Sequence, residues 1–146
     1  MGEALLERNC GMRFVIYLLS LVLSINLVQA RTIKDDWGGL VQAYYERVRA
    51  INVRREAVRI DGPCASACTM YLGVKRLCVT QNASFHFHKP WGRATPSQFK
   101  RVNDWFYEMW PTWVERWVKA NRALASIENF KTMSAAYALK FLPECR

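Results

Sequence analysis

The segment "EAVRIDGPCASACTMYLG", Glu56 to Gly73, constrains the fold more than any other part of the chain. Val58 and Ile60 alternate with polar neighbours, the signature of a short strand, and Gly62-Pro63 stops it. The small residues that follow read as a helix ending at Gly73, so the spacing predicts strand, sharp turn and helix, with Ser66 at the bend between Cys64 and Cys68. A hydroxyl there sits at a helix N-terminus, where unbonded N–H groups and the helix dipole both favour developing negative charge. The same placement also suits an ordinary helix cap, whose oxygen accepts from a backbone N–H.

The flanking pattern gives an α/β order. "LVQAYYERVRAI" carries Leu40, Val41, Tyr44, Tyr45, Val48 and Ile51 at helical spacing, with Gly38-Gly39 where the helix would begin. "RLCVT" and "ASFHFHKP" read as two further strands, the second closed by Pro90. The last third is helical: "PSQFKRVNDWFYEMW", interrupted at Pro111, then "PTWVERWVKANRAL", and a short helix within "TMSAAYALKFLPECR". Phe99, Val102, Trp105, Met109, Trp113 and Trp117 fall on one broad face, as expected of core or a subunit contact, with a lipid-interface role as the alternative.

The N-terminus reads as an export signal. Arg13 precedes the apolar run Phe14 to Val28, and Val28 and Ala30 are the small residues a signal peptidase reads. The run is shorter than the roughly 20 apolar residues of a spanning helix. Residues 1–30 are therefore expected to be a signal peptide, starting at Met1 or Met12, with an uncleaved membrane anchor as the alternative. Residues 31–146 then form a single α/β domain in the bacterial periplasm. Cleavage removes Cys10 and leaves Cys64, Cys68, Cys78 and Cys145, an even set that predicts two disulfides in three possible pairings. A bridge from Cys145 would tie down the C-terminal tail.

Lys and Arg outnumber Asp and Glu by 21 to 12, a net charge of +9. That balance suits an anionic partner or simply a basic globule, and no Lys/Arg block exceeds two residues, so no nucleic-acid partner is expected. With 51% apolar and 23% charged residues, the chain has the composition of a folded domain. Cys64, Cys68, His86 and His88 make a two-Cys, two-His set that zinc accepts, but their spacing departs from the usual fingers and an exported chain favours disulfides. No metal and no cofactor are expected.

A serine becomes a nucleophile when a base takes its proton and donors receive the oxyanion. The chain has two histidines, His86 and His88, two apart on a predicted strand and so on one face, with His88 at the strand's end. The N–H of Ala67 is the natural first oxyanion donor, and Gly38-Gly39 can supply the second. In order and spacing, Gly38-Gly39, "GPCASACTMYL", "NASFHFHKP" and "TMSAAYALKF" resemble the Clp protease proteolytic-subunit/crotonase superfamily, and more closely its small exported bacterial members with a Cys-x-Ser-Ala-Cys-Thr segment. The resemblance implies a truncated Clp-protease/crotonase-like α/β core with a helical, Trp-rich C-terminal part. It also implies Ser66 as nucleophile, His88 as general base, and Gly39 with Ala67 as oxyanion donors.

Two departures from that pattern stand out. Where the family has an aspartate, this chain reads "SIENFKTMSA", so Glu128 is the carboxylate on offer, with Asn129 beside it as a neutral orienter. The family also has strands before the glycine pair, which "RTIKDDW" is too short to supply, so the sheet is expected to be smaller or completed by a partner chain. Two functions follow from the sequence. One is an exported serine hydrolase acting on a peptide or other acyl substrate. The other is a non-catalytic envelope protein that uses its Trp-rich helices to bind a partner or copies of itself. Membrane contact is expected only through the uncleaved signal segment or the Trp-rich face.

Overall fold

The computed structural model describes residues 30–146, so the expected signal peptide and Cys10 lie outside the described residues apart from Ala30. Helices and short strands alternate, and the strands form two small sheets. The first holds β1 (Arg31–Ile33), β2 (Val58–Ile60) and β4 (Leu77–Val79), in the order β1-β2-β4 and all parallel. The second holds β3 (Pro63–Ala65), β5 (Ser84–Phe87) and β6 (Lys131–Ser134), with β3 parallel and β6 antiparallel to β5.

Successive segments feed both sheets in turn. β2 continues through Gly62 into β3, β4 leads on to β5, and β1 continues to Asp36, which bridges Cys64 beside β3. Gly62 marks a point of close approach: a Cβ there would lie 1.8 Å from the Lys34 carbonyl oxygen, so any side chain would force the strands apart. The residues before Gly38-Gly39 thus supply a three-residue strand and a bridge, where the sequence predicts none. On the far side of the first sheet, Cys145 N–H donates to the Val79 carbonyl (2.9 Å) and Val79 N–H to that of Pro143 (3.1 Å). The chain's own tail therefore covers the β4 edge.

The helices match their sequence signals with two shifts. α1 (Val41–Arg54) buries Tyr44, Tyr45, Val48 and Ile51. It closes on Arg55 at φ 54°, while the Asn52 amide clasps the Gly73 carbonyl and the Lys75 N–H. The small-residue helix is a 3-10 helix, Ser66–Gly73. α2 (Pro96–Met109) starts in a capping box of Thr95 and Gln98, and Pro111 separates it from α3 (Thr112–Ala120). Across that break the fully buried line is Phe106, Trp110, Val114 and Val118, one register away from the expected face.

Trp105, Trp113 and Trp117 flank this line and turn inward, packing against Tyr45, Phe141 and Phe87 respectively. These three tryptophans therefore meet protein, and the tryptophans left exposed are Trp37 and Trp91. The final helical signal is split: its first part is strand β6, and only Ala135–Ala138 (α4) is helical. β6 pairs with β5 over four residues and buries Met133, and this pairing overrides the helical preference of the segment.

Disulfides join Cys64 to Cys68 and Cys78 to Cys145. Two bridges in a chain of this size belong to an oxidising, exported environment. No helix among the described residues is long and apolar enough to cross a membrane.

Candidate functional site

The chain leaves β3 and enters the 3-10 helix through Ser66, which has φ 56°. This left-handed conformation costs an L-residue about 1–2 kcal/mol. Three contacts impose it. Ala65 N–H is tied to the Asp36 carbonyl (2.7 Å), the Thr69 hydroxyl donates to the Ser66 carbonyl (2.7 Å), and the Cys64–Cys68 bridge closes a short ring around the bend. The N-cap position is Ala65 and carries no side-chain cap, so the Ser66 hydroxyl is not used to cap its own helix. Among the described residues that hydroxyl has no hydrogen-bond partner, and Ser66 is half-buried.

Gly38 presses against this bend. It has φ 88°, and a Cβ on it would stand 2.8 Å from the Ala65 oxygen, 2.8 Å from Ser66 Cβ and 3.0 Å from the Ala67 nitrogen. Only glycine fits such an approach. Its N–H donates to Asp36 Oδ1 (2.9 Å), which also accepts from the buried Tyr44 hydroxyl (2.6 Å). Burial first, then the bond to Asp36, hold the Tyr44 phenol far above its ordinary pKa, so the anchor stays a phenol–carboxylate bond. Gly39 is the next residue and exposed, Ala67 is buried, and neither N–H has a protein acceptor among the described residues. Asp36 was not read as part of a site from the sequence; its signal is an acidic residue two positions before a glycine at a helix start.

His88 follows the end of β5 and is 7% exposed. Its Nδ1 lies 2.9 Å from the Lys89 carbonyl oxygen. A carbonyl only accepts, so Nδ1 carries a proton, and the tautomer this contact selects for the uncharged ring has its lone pair on Nε2. Phe130 packs against the ring at 4.6 Å between centroids, and Nε2 has no partner among the described residues. Glu128 and Asn129 do not orient this ring. Both are exposed, their backbone N–H groups turn toward the Ser126 hydroxyl, and the Nδ1 position is already taken by the Lys89 carbonyl.

His86 has different surroundings: its ring nitrogens meet the Ser84 and Thr132 hydroxyls at 2.9 and 3.0 Å, and it stacks on Trp37. Burial lowers its pKa. The strand ends at Phe87, so the alternation that links the two histidines stops before His88.

Ser66, His88, Gly38 and Gly39 all line one cavity of about 1090 Å³. Ser66 and His88 also border a packing gap too small for water, together with Thr69, Phe87, Phe106, Trp110 and Leu124. Ser66 and His88 thus line common space with the glycine pair, although no hydrogen bond joins the Ser66 hydroxyl to the His88 ring, and Ala67, an expected oxyanion donor, is fully buried and does not line the cavity. No group of three or more His, Cys, Asp or Glu among the described residues could hold a metal, and the two cysteines of the zinc-like set are bonded to each other.

No family model matches the chain, and no curated protein matches it. Among solved structures, it is similar to the crystal structure of a peptidase from Plasmodium falciparum, with 15% sequence identity and a TM-score of 0.48, over 89% of this chain and 84% of that one. Likeness at that level carries no argument about chemistry.

Proposed function

We propose that the protein is an exported serine hydrolase acting on acyl substrates, with Ser66 as nucleophile and His88 as general base. The observation that carries this reading is the left-handed Ser66, whose unbonded hydroxyl shares a cavity with the unbonded Nε2 of His88. Strain of this kind is maintained by the surrounding fold and gathers at functional sites.

In the reaction, His88 Nε2 takes the Ser66 proton as Oγ bonds to the substrate's carbonyl carbon. The Gly39 and Ala67 N–H groups receive the negative oxygen. On collapse, the bond from carbonyl carbon to leaving group breaks, and the leaving group departs with the proton from His88. Water then attacks the acyl-enzyme, giving its proton to His88, and the acid is released as Ser66 is re-protonated. The Lys89 carbonyl fixes the imidazole tautomer, the role a carboxylate has in a triad, but as a neutral group it stabilises the imidazolium less. Slow turnover is the consequence.

In this reading residues 1–30 are a signal peptide and residues 31–146 form one truncated Clp-protease/crotonase-like domain in the bacterial periplasm. No ATP-driven unfoldase operates there, so any peptide substrate is short or already unfolded. The test is hydrolysis of chromogenic acyl esters by the purified oxidised protein, with Ser66→Ala and His88→Ala each expected to lower the rate by about 10³-fold or more. A Ser66→Ala protein with an unchanged rate overturns the assignment and leaves the non-catalytic binding role.

A further inference from the structure

We infer that the cavity holding Ser66 and His88 takes an amphiphile with one long apolar chain and an anionic headgroup. The inference rests on the hydrolase reading above and names its substrate class. Among the described residues, the large hydrophobic residues left exposed are Trp37, Leu40, Val53, Trp91, Ile127, Phe130 and Phe141, and all but Val53 and Phe141 line this cavity. Trp37, Leu40 and Trp91 are 63, 74 and 71% exposed. Apolar surface gathered at one mouth, rather than scattered, marks a binding site. Phe99, Val102 and Trp105, each half-buried, add to the apolar lining.

Charge selects the headgroup. Among the described residues, the cations on the lining are Arg93 and Arg101, apart from His88, and no Asp or Glu lines the cavity. Neither arginine has an ion-pair or hydrogen-bond partner among the described residues, whereas Arg54 and Arg59 both do. Two guanidinium groups without a counter-charge, beside an apolar chamber, complement a phosphate, sulfate or carboxylate carried on a hydrocarbon chain.

Backbone geometry favours this ligand over an extended peptide. None of the lining residues belongs to a strand. The outer edge of β3, next to Ser66, is already bonded to Asp36: Asp36 N–H donates to Pro63 (3.0 Å) and the Asp36 carbonyl accepts from Ala65 (2.7 Å). A peptide therefore finds no open ladder to extend at the nucleophile. The chamber, at about 1090 Å³, lies just above the roughly 300–1,000 Å³ typical of small-molecule sites.

The test is calorimetric binding to the full oxidised chain carrying Ser66→Ala, which separates recognition from turnover. Monomeric dodecyl phosphate is expected to bind one to one, about tenfold or more tighter than dodecyltrimethylammonium or a capped apolar tetrapeptide, since charge-assisted hydrogen bonds contribute on that scale. Arg93→Gln and Arg101→Gln are each expected to weaken dodecyl phosphate about tenfold with an unchanged thermal midpoint. Lys75→Gln, outside the cavity lining, is expected to change nothing, which separates local recognition from the +9 background.

Equal affinity for the cationic and anionic amphiphiles, tighter binding of the peptide, binding only to anionic vesicles and not to the monomer, or indifference to both arginines overturns the inference. Arginine-dependent binding in a protein that hydrolyses no ester removes the hydrolase reading and leaves the ligand class standing. Ester hydrolysis indifferent to chain length and headgroup charge does the reverse.

Discussion

Replacing Ser66 by glycine is expected to make the protein more stable than replacing it by alanine. Both substitutions delete the hydroxyl, which has no hydrogen-bond partner among the described residues, so the comparison isolates the backbone. At φ 56° alanine keeps the strain that serine bears, about 1–2 kcal/mol, and glycine releases it. Against that, glycine loses about 0.4–1 kcal/mol more conformational entropy on folding. The central values, about 1.5 against about 0.7 kcal/mol, leave glycine ahead by about 0.8 kcal/mol, or about 2–4 °C in thermal midpoint for a domain of this size. Thermal unfolding of the oxidised proteins followed by circular dichroism measures it. A glycine variant no more stable than the alanine variant would refute the claim that the fold holds Ser66 in a costly conformation.

Other consequences are testable in the same proteins. Asp36→Ala removes the acceptor shared by Gly38 N–H and the Tyr44 hydroxyl, leaving both without this partner. It should lower stability by about 1–3 kcal/mol and lower kcat for ester hydrolysis, both read by denaturant melts and kinetics. Replacing Cys78 and Cys145 with serine opens a loop with a sequence separation of 67, against 4 for Cys64 and Cys68. Chain entropy sets the losses at about 4 and about 2 kcal/mol, so the distal bridge should dominate urea stability while the proximal one governs activity. His86, whose pKa burial holds below its ordinary 6.5, binds a proton more readily unfolded than folded. Stability should therefore fall as pH drops below 6.5 toward the depressed folded value, and His86→Gln should flatten that part of the pH–stability curve.

Much of this was legible in the sequence because periodicity reports burial. Tyr44, Tyr45, Val48 and Ile51 mark the inner face of α1, and Val58 and Ile60 the inner face of β2. β1 and β6 were not legible: over three or four residues, with one or none fully buried, alternation has no length in which to appear. The tryptophan stripe misleads by one register, because large amphipathic rings at Trp105, Trp113 and Trp117 pack half-buried at the flanks while Phe106, Trp110, Val114 and Val118 fill the centre. Cysteine pairing was open from sequence, since only the tertiary fold brings Cys78 to Cys145.

At the site, chain order named Ser66, His88 and the glycine pair, which do share one cavity. What holds them was hidden. Asp36 acts through a turn, and the partner of His88 is a backbone carbonyl that no side-chain pattern can announce.

The most direct measurement is covalent labelling of the oxidised protein with a fluorophosphonate, with the modified residue located by peptide mass spectrometry. A single adduct on Ser66 is expected, strongly reduced in His88→Ala and absent in Ser66→Ala. No adduct on the wild-type protein, or one that survives both substitutions, would contradict an activated serine at this bend.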